Sequence, residues 1–157
     1  MKKTLGIIML TGLCLVNLPI AAQQPQQRVS LTLPNNVKAI ILGQMRGHII
    51  ALDEVITALG HGDYKGAGKI ANTQLGVQRF QIDAHAKGQG PNLDIGKHLP
   101  VKFRMISQDF RNAGNRFALI SQKMPKNPTS DQHQALYGAL SEITHQCSIC
   151  HDAYKID

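Results

Sequence analysis

The sequence predicts an all-α protein, an antiparallel up-down-up-down four-helix bundle, on three observations. Apolar residues recur at three- and four-residue steps in separate stretches of the 157-residue chain, which is the period of a helix buried on one side. Glycine- and proline-bearing segments part these stretches, and the connections they leave are short. No stretch reads convincingly as a strand, and there is no internal repeat or second domain.

The first helix is expected from Val37 to Leu59, with Asn35 or Asn36 as its cap. Ile40, Ile41, Met45, Ile49, Leu52, Val55, Ile56 and Leu59 make its apolar stripe. Gly60 and Gly62 stop it, and Asp63 is placed to cap a second helix over Tyr64 to Ala86. That helix keeps an approximate period through Ile70, Ala71, Leu75 and Phe80, although Gly66, Gly68 and Gly76 each weaken it. Residues 87–99 form a loop, and Pro100 suits the first turn of a third helix. Phe103, Ile106, Phe110, Ala113, Phe117 and Ile120 mark that helix, which ends near Met124. Pro125 and Pro128 bracket a second loop. Thr129, Ser130 or Asp131 caps a fourth helix, lined by Leu136, Leu140, Ile143, Cys147, Cys150 and Tyr154.

Residues 1–22 are laid out as a secretory signal peptide. Lys2 and Lys3 precede the apolar run from Leu5 to Ile20, and Ala21-Ala22 offers a cleavage site. The run is shorter than the ~20 apolar residues of a membrane span, and Asn17 and Pro19 interrupt its end. Stable membrane insertion is therefore not expected. Lipoprotein processing at Cys14 is disfavoured by Leu13, where a small residue is wanted. Export to the periplasm follows, with residues 23–34 as a polar, flexible leader and residues 35–157 as the folded domain.

Removing the signal takes the formal charge from +7 to +5 by the loss of Lys2 and Lys3. The Lys and Arg residues look scattered along the chain. Without Trp, aromatic interleaving or a nucleic-acid motif, the chain is not expected to bind nucleic acid. The basic surface is read as solvated, with some attraction for an acidic redox partner.

Two cysteines survive export, both in the last eleven residues, so no disulfide framework runs through the fold. Cys147-Ser148-Ile149-Cys150-His151 is Cys-x-x-Cys-His, the attachment signature of c-type haem. Its spacing follows from chemistry. Two thiols add across the two vinyl groups to form thioethers, and the adjacent imidazole is delivered to one face of the iron. Such a pentapeptide arises by chance in on the order of one chain in a thousand of this length.

Three rivals fit less well. A thioredoxin-like pair sits at a helix N-terminus, where the dipole lowers a thiol pKa, and this pair lies near a C-terminus. Structural zinc needs four ligands, and His145, the nearest extra candidate, points elsewhere on a helix. A plain disulfide is the remaining structural reading.

The motif followed by Asp152-Ala153-Tyr154-Lys155, on the last helix of an exported four-helix chain, resembles the cytochrome c′ family and its low-spin relatives. The likeness extends to Met45-Arg46-Gly47-His48 leading into Ala58-Leu59-Gly60. It covers the mature chain in architecture, and only the haem motif is specific. It implies one covalent haem c inside one end of the bundle, thioethers at Cys147 and Cys150, His151 as proximal iron ligand, and often a homodimer. It also implies a basic residue after the tyrosine, where Lys155 stands in place of the more usual Arg.

Members of that family divide by what faces the iron opposite the histidine. Low-spin members offer a methionine sulfur and carry electrons, whereas high-spin members leave the site open and bind nitric oxide or carbon monoxide. In an up-down-up-down bundle the end of the fourth helix lies beside the starts of the first and third. His151 is then ~6 Å from that end and Met45 ~13 Å into the first helix.

Met45 is the expected sixth ligand. Gly43 and Gly47 flank it, at a cost of roughly 0.5–1 kcal/mol each, which makes sense if the haem or a neighbouring helix approaches closely. The alternative is a core methionine filling a gap. Leu42, one turn earlier, would cover an open site. Met105 is expected in the core, and Met124 lies at the wrong end. His48, three residues after Met45, is placed to face the same cavity; a partly exposed or propionate-bonded histidine is expected there, with a bis-histidine iron as the alternative. His61, His85, His98, His133 and His145 read as surface residues, with His98 singled out for its place in the loop entering the third helix. Lys38 and Arg46 are candidate propionate partners. The expected function is single-electron transfer between periplasmic redox partner proteins, with no substrate converted and hence no enzyme activity. The alternative is a gas-binding haem protein.

Overall fold

In the computed structural model, which describes residues 27–77 and 95–157, the chain is all-α with four helices and little strand. A short strand β1 (Val29–Leu31) leads into α1 (Asn35–Gly60), then α2 (Tyr64–Ile70), α3 (Val101–Gln122), α4 (Ser130–Ala153) and a last strand β2 (Tyr154–Ile156). The signal peptide, Cys14, Phe80, His85 and most of the loop before α3 lie outside the described residues. No helix among the described residues is long and apolar enough to cross a membrane.

Local chemistry accounts for most boundaries. The chain turns out of α1 through Gly62, whose φ of +70° lies in the left-handed region that favours glycine. Asp63 then caps α2, its carboxylate accepting from the Gly66 amide at 2.8 Å. Thr129 caps α4 in a reciprocal box: the Gln132 amide donates to the Thr129 hydroxyl (3.3 Å) and the Thr129 amide to the Gln132 side chain (2.8 Å). At α1 and α3 the preceding residues are Pro34 and Pro100, and neither start has a side-chain cap. Asn35 is therefore the first helical residue rather than a cap, and Pro100 stands just outside its helix.

The second helix differs from the expectation of one run to Ala86. After Ile70 it widens into a π turn over Ala71–Leu75 and breaks at Gly76, whose backbone is extended. A Cβ there would lie 2.2 Å from the Asn115 side-chain oxygen, and that same oxygen accepts from the Val77 amide at 3.2 Å. The Asn115 side chain thus packs against the break, and residues 78–86 of the expected run lie outside the described residues.

Sequential neighbours pack on one another: α1 on α2, α2 on α3, and α3 on α4. The main core joins Ala51, Val55, Leu75, Phe110, Phe117 and Leu136, with Ile143 closing it. A second cluster joins Leu31, Leu33, Val37, Ile41, Phe103, Ile106 and Tyr154. α2 and α3 approach closely because Gly68 and Gly114 lie against backbone; a Cβ on Gly114 would be 3.0 Å from the Leu75 carbonyl carbon. Ser121, fully buried, donates its hydroxyl to the Tyr64 carbonyl at 2.6 Å across the same contact.

Two expectations need correction. The leader is not structureless to residue 34: β1 pairs in parallel with β2, Val29 opposite Tyr154 and Leu31 opposite Ile156. Leu31 and Leu33 are buried, which gives the pairing its hydrophobic gain. On α1 the inward residues are Val37, Ile41, Ala51, Val55 and Leu59, whereas Ile49 and Ile56 are exposed. The helix carries more apolar residues than one face can bury, and packing chose the stripe that includes the small Ala51.

Candidate functional site

Cys147, Cys150 and His151 lie on the last two turns of α4. Cys147 packs against the main core and Cys150 against the second cluster, so the pair straddles the seam between them. Both thiols are free and half-buried, and His151 is exposed on the next position. The Cys147 thiol donates to the Ile143 carbonyl one turn back, at 3.5 Å. Burial pushes both thiols above their ordinary pKa. At Cys150 the neighbouring Cys147 adds a smaller rise from like charge. These are protonated thiols at neutral pH rather than activated nucleophiles.

The helix stops directly after the motif. Tyr154 leaves α4 in extended conformation and its ring meets Phe103 edge to face, with centroids 5.3 Å apart. β2 then continues beside β1. Asp157 ties this corner down: Lys155 pairs with its carboxylate at 3.3 Å, the Ser30 hydroxyl donates to the same carboxylate, and Lys38 donates to its carbonyl oxygen. Lys38, expected as a candidate partner for an anionic ligand, is engaged here instead.

Met45 is half-buried on α1 and packs against the same cluster as Cys150. Leu42 is half-buried one turn earlier, and Arg46 is exposed. Gly43 is not explained by a close neighbour within the protein, since the nearest atom to an added Cβ is the Arg46 guanidinium at 4.0 Å. Met105 is not a core residue. It is 61% exposed, because Phe103 and Ile106 take the inward positions of α3. Met124 is buried in the main core.

The His48 ring is half-buried against Phe110, centroids 4.6 Å apart. His61 and His145 are exposed, and His98 is half-buried in a 3₁₀ turn over Ile95–His98. His133 departs from the surface reading: it is half-buried, bonds the Tyr64 hydroxyl at 3.1 Å and stacks on Tyr137. Among the described residues no three His, Cys, Asp or Glu side chains converge as a closed metal site.

Sequence reasoning missed the strand pair and the Phe103–Tyr154 contact beside the motif. The signal was the alternation Val29-Ser30-Leu31-Thr32-Leu33, whose two leucines face inward. No family model, curated protein or solved structure matches the chain. The chemistry of the site therefore rests on its own residues. Two thiols one turn apart with an imidazole beside them can form two thioethers, or close into a disulfide.

Proposed function

We propose that the protein is a periplasmic c-type cytochrome of the cytochrome c′ family, low-spin branch, that carries single electrons with His151/Met45 ligation. Its four helices form an up-down-up-down bundle with one haem c at the α4 end. The bundle reading is supported by the packing of each helix on the next and by the parallel strands, which put the start of α1 beside the end of α4.

One observation carries the functional reading. Met45 on α1 and Cys150 on α4 flank the same apolar cluster, so a thioether and the attachment motif serve one end of the molecule. Two unpaired thiols, an adjacent exposed imidazole and this thioether are the donor set a covalent Met/His haem requires, and the residues fit it.

When bound, the haem supplies an iron that takes up and releases one electron. Cys147 and Cys150 would hold the ring through thioethers, which form by addition of S–H across a vinyl C=C and consume no oxidant. His151 and Met45 would hold the iron, and a methionine sulfur there would favour the reduced state and raise the reduction potential. The apolar side chains of Ile41, Phe103 and Ile106 keep water from that end, and Tyr154 and β2 hold the helix terminus that carries His151.

The test is an absorption spectrum of the holoprotein from a host that matures c-type haem, oxidised and reduced, with carbon monoxide added to the reduced form. A low-spin spectrum with a methionine–iron(III) charge-transfer band, lost in Met45→Ala and indifferent to carbon monoxide, is expected. A high-spin spectrum that shifts at once with carbon monoxide overturns Met45 ligation and makes gas binding beneath Leu42 the function. Absence of covalent haem overturns the whole reading.

A further inference from the structure

The fold sorts charges that look scattered along the chain. Around the second apolar cluster, Arg28 precedes β1, Lys38 follows Val37, and Arg46 follows Met45. Lys97 lies between Ile95 and Leu99, Lys102 and Arg104 flank Phe103, and Lys155 follows Tyr154. All of these are exposed except Lys38, which is half-buried. Among the described residues Asp152 and Asp157 are the carboxylates of this end, and Asp157 is already held by Lys155 and Ser30. Seven cations against two carboxylates leave an excess of five.

The remainder of the described chain is balanced. Lys65, Lys69, Arg111, Arg116, Lys123 and Lys126 are matched in number by Asp53, Glu54, Asp63, Asp109, Asp131 and Glu142. Residues 78–94 add Arg79, Lys87, Asp83 and Asp94, which cancel. The exposed cations of the described chain are therefore concentrated around the cluster beside Cys150, and the two propionates of a bound haem would offset part of that excess. Exposed apolar side chains lie among these cations: Val29 beside Arg28, Val101 beside Lys102, and Met105 beside Arg104, each more than half exposed.

We propose that this end is the docking surface for an acidic protein partner, which exchanges one electron with the haem there. The proposal rests on the electron-carrier reading and adds where the partner binds and what its surface is made of. Exposed cations interspersed with separate apolar side chains are the composition of a protein interface, with a polar rim and apolar anchors. Its field draws an acidic partner in and orients it, raising the association rate at low salt by ten- to a thousandfold. An anionic membrane is the weaker match, because interfacial binding uses an extended apolar helix face and this end exposes only a few separate aliphatic groups.

The experiment uses the holoprotein and reduced plant-type ferredoxin, an acidic one-electron donor. The ferredoxin cluster gives up one electron, and haem iron(III) becomes iron(II). The bimolecular rate should fall steeply with ionic strength. It should drop at least tenfold in Lys102→Glu/Arg104→Glu and stay within about twofold in Lys123→Glu/Lys126→Glu at the balanced end. Equal effects of the two variants, or a rate indifferent to salt, overturn the proposal. So does cosedimentation with phosphatidylglycerol vesicles that Lys102→Glu/Arg104→Glu abolishes while leaving the ferredoxin rate unchanged.

A titration of the ¹⁵N-labelled protein with oxidised ferredoxin reads docking without electron transfer. Shifts confined to residues 28–46, 97–105 and 151–157 support it, and shifts spread over α2 and the α3–α4 loop overturn it. A missing or high-spin haem spectrum in the same samples reports on the electron-carrier reading separately.

Discussion

Phe103 and Tyr154 meet edge to face with ring centroids 5.3 Å apart, which locks the residue three places after His151 against the first turn of α3. The contact lies where α4 ends. Tyr154 is buried, and its backbone turns extended to join β2.

Phe103→Ala should therefore destabilise the protein by about 3–5 kcal/mol through the lost ring and the cavity left behind. Phe103→Leu, closer in volume, should lose less than about 1.5 kcal/mol. Urea denaturation followed by far-UV circular dichroism measures both. An alanine variant as stable as wild type would show that the contact does not hold the helix end.

Leu31 tests the strand pair. It is buried, and its carbonyl accepts from the Asp157 amide at 3.4 Å. Leu31→Ala should cost about 2–5 kcal/mol. Amide exchange at residues 154–157 should quicken together with that at residues 29–31, because the two strands satisfy each other's backbone groups. If only the N-terminal amides respond, β2 is held by α4 alone.

Two helical glycines should respond in opposite directions to alanine. At Gly114 the new methyl meets the Leu75 and Gly76 backbone at 3.0–3.2 Å, so α3 must move away from the π turn that follows α2, at about 1–3 kcal/mol. At Gly138 nothing lies within 4 Å, and the change should stabilise α4 by roughly 0.5–1 kcal/mol. Thermal melts of both variants with the wild type give the signs directly.

The free thiols make a pH-dependent contribution to stability. Burial raises both, so folding favours the protonated forms. That stability is fully present below the unfolded thiol pKa of about 8.5 and is lost as pH rises through the folded values. In the haem-free chain, wild type should lose more stability between about pH 8 and 10 than Cys147→Ser/Cys150→Ser. Matching profiles would mean that the thiols are as well solvated folded as unfolded. Thioethers do not titrate, so the holoprotein should lack the difference.

Legibility followed distance along the chain. The caps at Asp63 and Thr129, the stop near Gly62 and the apolar face of α3 were readable because each depends on residues within one or two turns. The Cys-x-x-Cys-His pattern was readable as a pattern for the same reason, as its five residues are contiguous. Met45 and Met105 were harder. Both have the right residue type near the right helix end, and the packing of Phe103 and Ile106 is what leaves Met105 in solvent while Met45 joins the cluster.

By itself, then, the sequence determined where α2 and α4 start and where the two thiols and the imidazole stand, since hydrogen bonding within a turn and adjacency in the chain settle both. Tertiary structure alone decided which side of α1 is buried, that Gly76 breaks the second helix against Asn115, and that Val29 pairs with Tyr154. It also gathered the excess cations at one end. Those outcomes depend on contacts between residues far apart in the chain. Their free energy comes from burying surfaces against each other, which no local pattern specifies.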